Sequence, residues 1–214
     1  KKIGPLLPKG AIILDTSTVR SQTVIDVADY LKTYDAYFLD GPVSGGKEGA
    51  HKGDLVMMVG GEEKILKKIF PQLKSFCSKI VHMGNVGSGQ KTKAINQIMA
   101  AGINQAVTDS LALANAEGLD MLKVIEAVGS GAAGNWFLNH RGSRMQSGSF
   151  EPGFKVSLHT KDLKICREMV NRYGISLNTI ELTLRDYENL IEKGLGQNDI
   201  SILYDLKKKL FNRI

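Results

Sequence analysis

Between residues 11 and 83 the apolar positions come in short runs separated by longer amphipathic stretches. AIILD at 11–15, YFLD at 37–40 and LVMMV at 55–59 read as buried strands, and 79–83 as a short fourth one. Brief continuous apolar runs bounded by turn residues are what a strand covered on both faces requires. Residues 19–32 and 62–76 instead repeat their apolar positions at helical spacing. Pro71 falls inside the second stretch and is expected to break or kink that helix. Strands alternating with helices predict an open α/β sheet.

From residue 90 onward every strong signal is helical. Ile95, Ile98, Met99, Ile103, Val107 and Leu111 recur at helical spacing, so a long and largely buried helix is expected, running to about 117 with Gly118 as its terminator. Shorter helices are expected at 120–128, 135–146, 158–173, 176–193 and 200–210, with a loop at 148–154. The chain therefore divides into a sheet-containing domain at 1–86 and an all-α domain at 87–214.

Composition mainly excludes. With 43% hydrophobic and 23% charged residues the 214-residue chain is ordinary globular protein. Its net charge is +6, but the lysines of 63–68 and 205–209 are interleaved with acids, which describes solvated helix faces and not a nucleic-acid stripe. A positive field of this kind suits a small anionic ligand. Cys77 and Cys166 lie far apart, and His51, His82, His140 and His159 show no ligand spacing with them, so no metal site is expected. A reducing, cytoplasmic compartment is the simplest reading. No apolar stretch approaches the roughly 20 residues that span a bilayer, and no signal peptide is visible, so no membrane partner is expected. The chain opens on Lys1 instead of methionine, just ahead of Pro5, Pro8 and the first strand, and reads as a beginning cut from something longer.

Three glycine- or hydroxyl-rich segments follow strand ends, where open α/β sheets bind ligands. DTST at 15–18 closes the first strand; it offers a ligand contact, or a Ser or Thr cap for a helix beginning at Val19. DGPVSGG at 40–46 supplies the Ser44 hydroxyl and the unobstructed backbone of Gly45 and Gly46, which together can hold a carboxylate or phosphate; the plainer reading is a flexible hairpin connection. GNVGSGQKTKAIN at 84–96 places Lys93 one turn into the long helix, with Asn96 and Gln97 three and four residues on and projecting to roughly the same side. A cation there is disfavoured by the helix dipole by about 0.3–1 kcal/mol, which argues against a purely stabilising role. An ammonium so placed can pass a proton to, or polarise, a carbonyl oxygen. KDL at 161–163 reads on its own as a solvated ion pair, and Trp136 and Phe137 as core anchors.

Taken in order, these segments resemble the β-hydroxyacid dehydrogenase family, which includes 3-hydroxyisobutyrate dehydrogenase and tartronate semialdehyde reductase. The resemblance covers essentially the whole chain. It implies the later part of a Rossmann-type dinucleotide-binding sheet, followed by an all-helical domain joined through a long helix. It also implies an NAD- or NADP-dependent oxidoreductase that interconverts a short β-hydroxy acid and its semialdehyde. Lys93 falls on the family's catalytic lysine, and Ser44, Gly45 and Gly46 on its substrate signature. Thr18 falls on a cofactor-contacting threonine, and Lys161, within HTKDL, on a lysine beside the cofactor. GLGQNDISIL, with Asp199, resembles the closing pattern. Where the family often carries asparagine four residues after the lysine, this chain has Gln97, with Asn96 one place earlier; both are substrate-binding candidates. A homodimer or homotetramer built through the helical domain is implied as well.

One element of the family is missing. The Gly-x-Gly-x-x-Gly that follows a family member's first strand is read as occurring nowhere in the chain, its usual place lying ahead of Lys1, so the turn that holds a dinucleotide pyrophosphate is not supplied. The expectation is that this polypeptide alone binds cofactor poorly, turns over little, and leaves one edge of its sheet open. The contrasting possibilities are a non-enzymatic interaction module that keeps the dehydrogenase shape and, after it, a nucleic-acid binder.

Overall fold

The computed structural model describes residues 3–211; Lys1, on which the reading of a cut beginning rests, lies outside them. The chain parts into two compact units, one ending at Asn96 and the other starting at Gln97.

In the first unit β1 (Ile12–Asp15) leads through α1 (Ser21–Lys32) to β2 (Tyr37–Asp40), which pairs with it in parallel. The short β3 (Val43–Ser44) and α2 (Gly46–Lys52) follow, then β4 (Leu55–Gly60), α3 (Glu63–Leu73) and β5 (Cys77–Gly84). β5 pairs in parallel with β4. β2 and β3 run antiparallel to β4 in one shared register, with Asp40 opposite Gly60, Val43 opposite Met57 and Ser44 opposite Val56. The expected α/β sheet is therefore present, but it is mixed. Residues 40–46 form strand and helix start, not the slack connection that their glycines allowed. α2 escaped sequence reading because GKEGAHK has no apolar periodicity.

Alternation along the strands distributes side chains to two faces. Ile13 and Phe38 join Val24 and Leu31 of α1, whereas Leu14 and Leu39 join Ile65, Leu66 and Leu73 of α3. β4 is the most enclosed strand: Met57 and Val59 are 0% exposed, and each such side chain contributes about 1.5–3 kcal/mol through burial. Pro71 does not stop α3, which continues to Leu73. Two residues from the helix end, the missing N–H leaves only the carbonyl of exposed Lys67 without a helical donor. β5 starts earlier than its apolar core suggested, because Cys77 already faces Leu55.

α4 (Ser88–Ala116) is a single helix of 29 residues. Burial is as expected at Val107 and Leu111, 5% and 1% exposed, but the orientation corrects the expectation at Ile95 and Met99. Ile95 and Met99 are 59% and 63% exposed, while Lys93, Gln97, Asn104, Gln105 and Thr108 are buried beside the small Ala94, Ala101 and Ala112. Apolar spacing revealed the helix but not which face turns inward, because alanine and hydrogen-bonded polar groups can fill an interior as closely as isoleucine can.

In the second unit α5 (Met121–Gly129) packs on α6 (Trp136–Ser147), and α7 (Val156–Asn171) on α8 (Asn178–Glu192). A 3-10 turn at Ile200–Ile202 leads into α9 (Leu203–Phe211). A buried polar chain crosses this unit. Asn104 Nδ2 donates to Tyr187 Oη at 2.8 Å and to the Ile200 carbonyl at 3.0 Å. Tyr187 Oη lies 3.1 Å from His159 Nδ1, and His159 Nε2 lies 3.1 Å from the Gln97 carbonyl. A carbonyl only accepts, so Nε2 carries a proton, and in the neutral ring Nδ1 accepts from the tyrosine. Near the other end of α4, the Lys207 ammonium lies 3.0 Å from Asp186 and 3.2 Å from Asp109, and Gln105 donates to the same Asp186 carboxylate.

Complete burial pushes the Tyr187 phenol well above its ordinary 10.0; nearby Asp199 and Asp186 add to the rise, and the Asn104 hydrogen bond opposes it. Because the folded state holds this proton more tightly than the unfolded chain, its contribution is complete below about pH 10 and is lost as pH climbs beyond that value. The unfolding free energy of the helical unit should fall above about pH 10, by up to roughly 1.4 kcal/mol per pH unit from this residue. Urea unfolding followed by circular dichroism measures the decline. Tyr187→Phe should flatten it, and an equal slope in that variant would contradict the assignment.

Candidate active site

The N-terminal turn of α4 is where the motif segments of the first unit meet. Gly84 and Gly87, at φ 112° and 91°, turn the chain out of β5. Gly89 serves close approach instead, since a Cβ there would run into the Met58 carbonyl and both the carboxylate and backbone oxygens of Asp40. The helix start thus rests with bare backbone against the ends of β2 and β4.

Asp40, fully buried, holds it there. One carboxylate oxygen accepts from Gly87 N at 2.7 Å and the other from Gln90 N at 2.9 Å, so two amides that the helix cannot satisfy are capped by a charge from another element. The same negative charge sits at the positive end of the helix dipole. That offsets the penalty which a lysine in the opening turns would otherwise meet.

Gln90, 2% exposed, ties in the segment after β1. Its Oε1 accepts from Val19 N at 3.0 Å and its Nε2 donates to the Ser17 carbonyl at 2.7 Å. DTST is not the cap of α1: that helix begins at Ser21 after Arg20 and has no side-chain cap, while Asp15 accepts from Ser17 N. Thr18 is half-buried in the connecting loop.

One turn beyond Gln90 stands Lys93, 8% exposed, which rules out an ordinary surface lysine. Asn96 is half-buried and Gln97 2% exposed on the same helix. Ser44 closes β3, half-buried; Gly45 and Gly46 open α2 with φ of 132° and 61°, values that glycine alone adopts readily. Their connection to the start of α4 runs back along the chain to Asp40.

In the second unit Gln97 Nε2 donates to Asp162 Oδ2 at 2.7 Å. Lys161, half-exposed, lies 3.1 Å from Asp162 Oδ1 as an ion pair without hydrogen-bond alignment. Asp199 proves to be a structural staple: it accepts from the amides of Gly153, Phe154 and Ser201 and sits 3.5 Å from Arg141 Nε. Phe137 is a core anchor as expected, but Trp136 is 52% exposed and stacks on His140. Sequence reading missed Asp40, Gln90 and Asp162 as positioning groups. All three stood inside the motifs, but their partners are 47 to 73 residues away.

Among the described residues no group of three or more His, Cys, Asp or Glu could hold a metal, and no helix is long and apolar enough to cross a membrane. Contrary to the expectation that it occurs nowhere, the Gly-x-Gly-x-x-Gly spacing is present as GSGAAG at 129–134, but that string joins α5 to α6 and follows no strand. It is not a dinucleotide fingerprint.

Residues 87–206 match the family model described as NAD-binding of NADP-dependent 3-hydroxyisobutyrate dehydrogenase, and 1–84 that described as the NAD binding domain of 6-phosphogluconate dehydrogenase. An uncharacterized oxidoreductase of Shewanella frigidimarina is 35% identical over 200 residues, covering 93% of this chain and 69% of its own length. The 2-hydroxy-3-oxopropionate reductase of Escherichia coli is 31% identical over 204 residues, with 95% and 70% covered. The solved structure of Mycobacterium tuberculosis 3-hydroxyisobutyrate dehydrogenase with L-serine superposes with a TM-score of 0.84 at 25% identity, covering 96% of this chain and 72% of that one.

Asp40→Ala should destabilise the sheet unit by about 2–4 kcal/mol, because it strands two buried N–H groups. Urea midpoints measure this, and a loss below about 0.5 kcal/mol would show that the cap is dispensable.

Proposed function

We propose, for a chain that belongs to the β-hydroxyacid dehydrogenase family, that its residues carry out the NAD(P)-linked interconversion of a short β-hydroxy acid and its semialdehyde. The observation that carries this reading is the buried Lys93 one turn behind an Asp40-capped helix start. The nicotinamide cofactor, when bound, supplies or accepts the hydride. In the reducing direction the Lys93 ammonium passes a proton to the carbonyl oxygen as the carbon gains hydride, and the resulting amine recovers a proton from solvent. In the oxidising direction the amine takes the hydroxyl proton. Even before transfer, the charge stabilises oxygen becoming negative.

The other roles follow from the chemistry each residue offers. Ser44, with the unobstructed backbone of Gly45 and Gly46, holds the substrate carboxylate. Gln97 and Asn96 orient the substrate; Gln97 is suited to this because Asp162 fixes its amide. Thr18, in a loop held from both sides, and the half-exposed ammonium of Lys161 are the groups this chain offers to the cofactor. The substrate class is supported by the relative named for 2-hydroxy-3-oxopropionate and by the structure holding L-serine, itself a β-hydroxy acid.

The protein associates with further copies of itself, as a homodimer or homotetramer, through α4. Ile95, Met99 and Leu113 lie along one stripe of that helix and are 48–63% exposed, an apolar face that a second copy would cover. Buried thiols at Cys77 and Cys166 suit a reducing, cytoplasmic compartment.

In a protein that carries the pyrophosphate-holding glycine turn, Lys93→Ala should lower turnover by about 10²–10⁴-fold while NAD(P) affinity stays within about threefold. Near-normal turnover in that variant would refute the assignment, and a protein that carries the glycine turn yet binds neither cofactor nor hydroxy acid would support the non-enzymatic module. Ser44→Ala should raise the KM for the hydroxy acid about tenfold, and leave that for the cofactor unchanged.

A further inference from the structure

We propose that Gln90 is a positioning residue, which brackets Thr18 and sets its place relative to Lys93. The proposal rests on the reading of Thr18 as a cofactor contact and Lys93 as the proton donor. Gln90 bonds the residue on each side of Thr18, accepting from Val19 N and donating to the Ser17 carbonyl. Neither partner can exchange roles: an amide N–H only donates and a carbonyl only accepts, so both ends of the side-chain amide are determined.

The segment it holds belongs to no strand or helix, since β1 ends at Asp15 and α1 starts at Ser21. Without the sheet ladder or helical bonds, such a loop takes its shape from side-chain partners. Gln90 is itself immobilised, because its backbone N–H is bound by Asp40 and its side chain is 2% exposed. Lys93 follows three residues later on the same helix. One rigid turn therefore carries both the proton donor and the clamp on the loop, and a displacement of either moves the other.

The amide dipole makes this testable with glutamate. In Gln90→Glu the ionised side chain can still accept from Val19 N–H, but it presents an oxygen to the Ser17 carbonyl and repels it. Protonated, it donates to that carbonyl and restores both bonds. Burial raises the pKa of such a carboxyl and brings the change into a workable range. Gln90→Ala should raise the KM for NAD(P)H by about ten- to a hundredfold at every pH. Gln90→Glu should match it at about pH 8 and approach wild type toward about pH 5.5 when each KM is divided by the wild-type value at the same pH. A Gln90→Glu to wild-type ratio independent of pH would overturn the proposal, as would an unchanged KM in Gln90→Ala. A second readout does not need turnover: the Val19 amide should exchange slowly with solvent deuterium in wild type and lose that protection in Gln90→Ala. Equal protection in both proteins would remove the clamp itself. A protected amide that Gln90→Ala exposes, in a protein that reduces no semialdehyde, would locate the fault in the enzymatic reading.

Discussion

The organisation of the sheet unit depends on one carboxylate. Asp40 reaches from the end of β2 to two amides at the start of α4, and the helix can approach closely enough for this only because residue 89 has no side chain. Buried charge is costly unless it is fully bonded. Here the helix terminus supplies both hydrogen bonds and the positive end of a dipole, so each group removes the burden of the other. The turn that carries Lys93 is thereby fixed to the strand whose continuation carries Ser44, Gly45 and Gly46. Catalytic geometry is a matter of fractions of an ångström, and rigid elements hold it better than loops do.

α4 buries several polar side chains while leaving Ile95 and Met99 exposed. Its inward side presents Lys93, Gln97, Asn104, Gln105 and Thr108, and the described residues give Gln97, Asn104, Gln105 and Thr108 bonded partners. Each keeps a bond inside, although among the described residues the side-chain oxygens of Asn104 and Gln105 are buried without a hydrogen-bond partner; polar contacts of this kind fix one arrangement where greasy packing would allow several. The helix thus connects Asp186 and Lys207 near its far end with Gln97 near its start, through side chains and not through shape alone.

Much of this was legible in the chain. The strands at 37–40 and 55–59 and most helices follow from apolar spacing and glycine stops, and the motif order identified the family from the residues themselves. What was hidden depended on contacts between distant residues. Nothing in GSGQK announces that Gln90 will bracket Thr18, and nothing in the spacing of Ile95 and Met99 says that they face outward. The helix at 46–52 lacks an apolar face, so no periodicity could reveal it. Trp136 misled for a related reason: its size argued for the core, but His140, one turn along, offered it a stacking partner at the surface.

The chain of bonds through Asn104, Tyr187 and His159 has a direction: each group gives a proton to the next, and the last gives its own to the Gln97 carbonyl. Exchanging any single member for a group of opposite polarity leaves a buried donor facing a donor, or an acceptor facing an acceptor. The three side chains therefore depend on one another, and a change at one is felt at its neighbours.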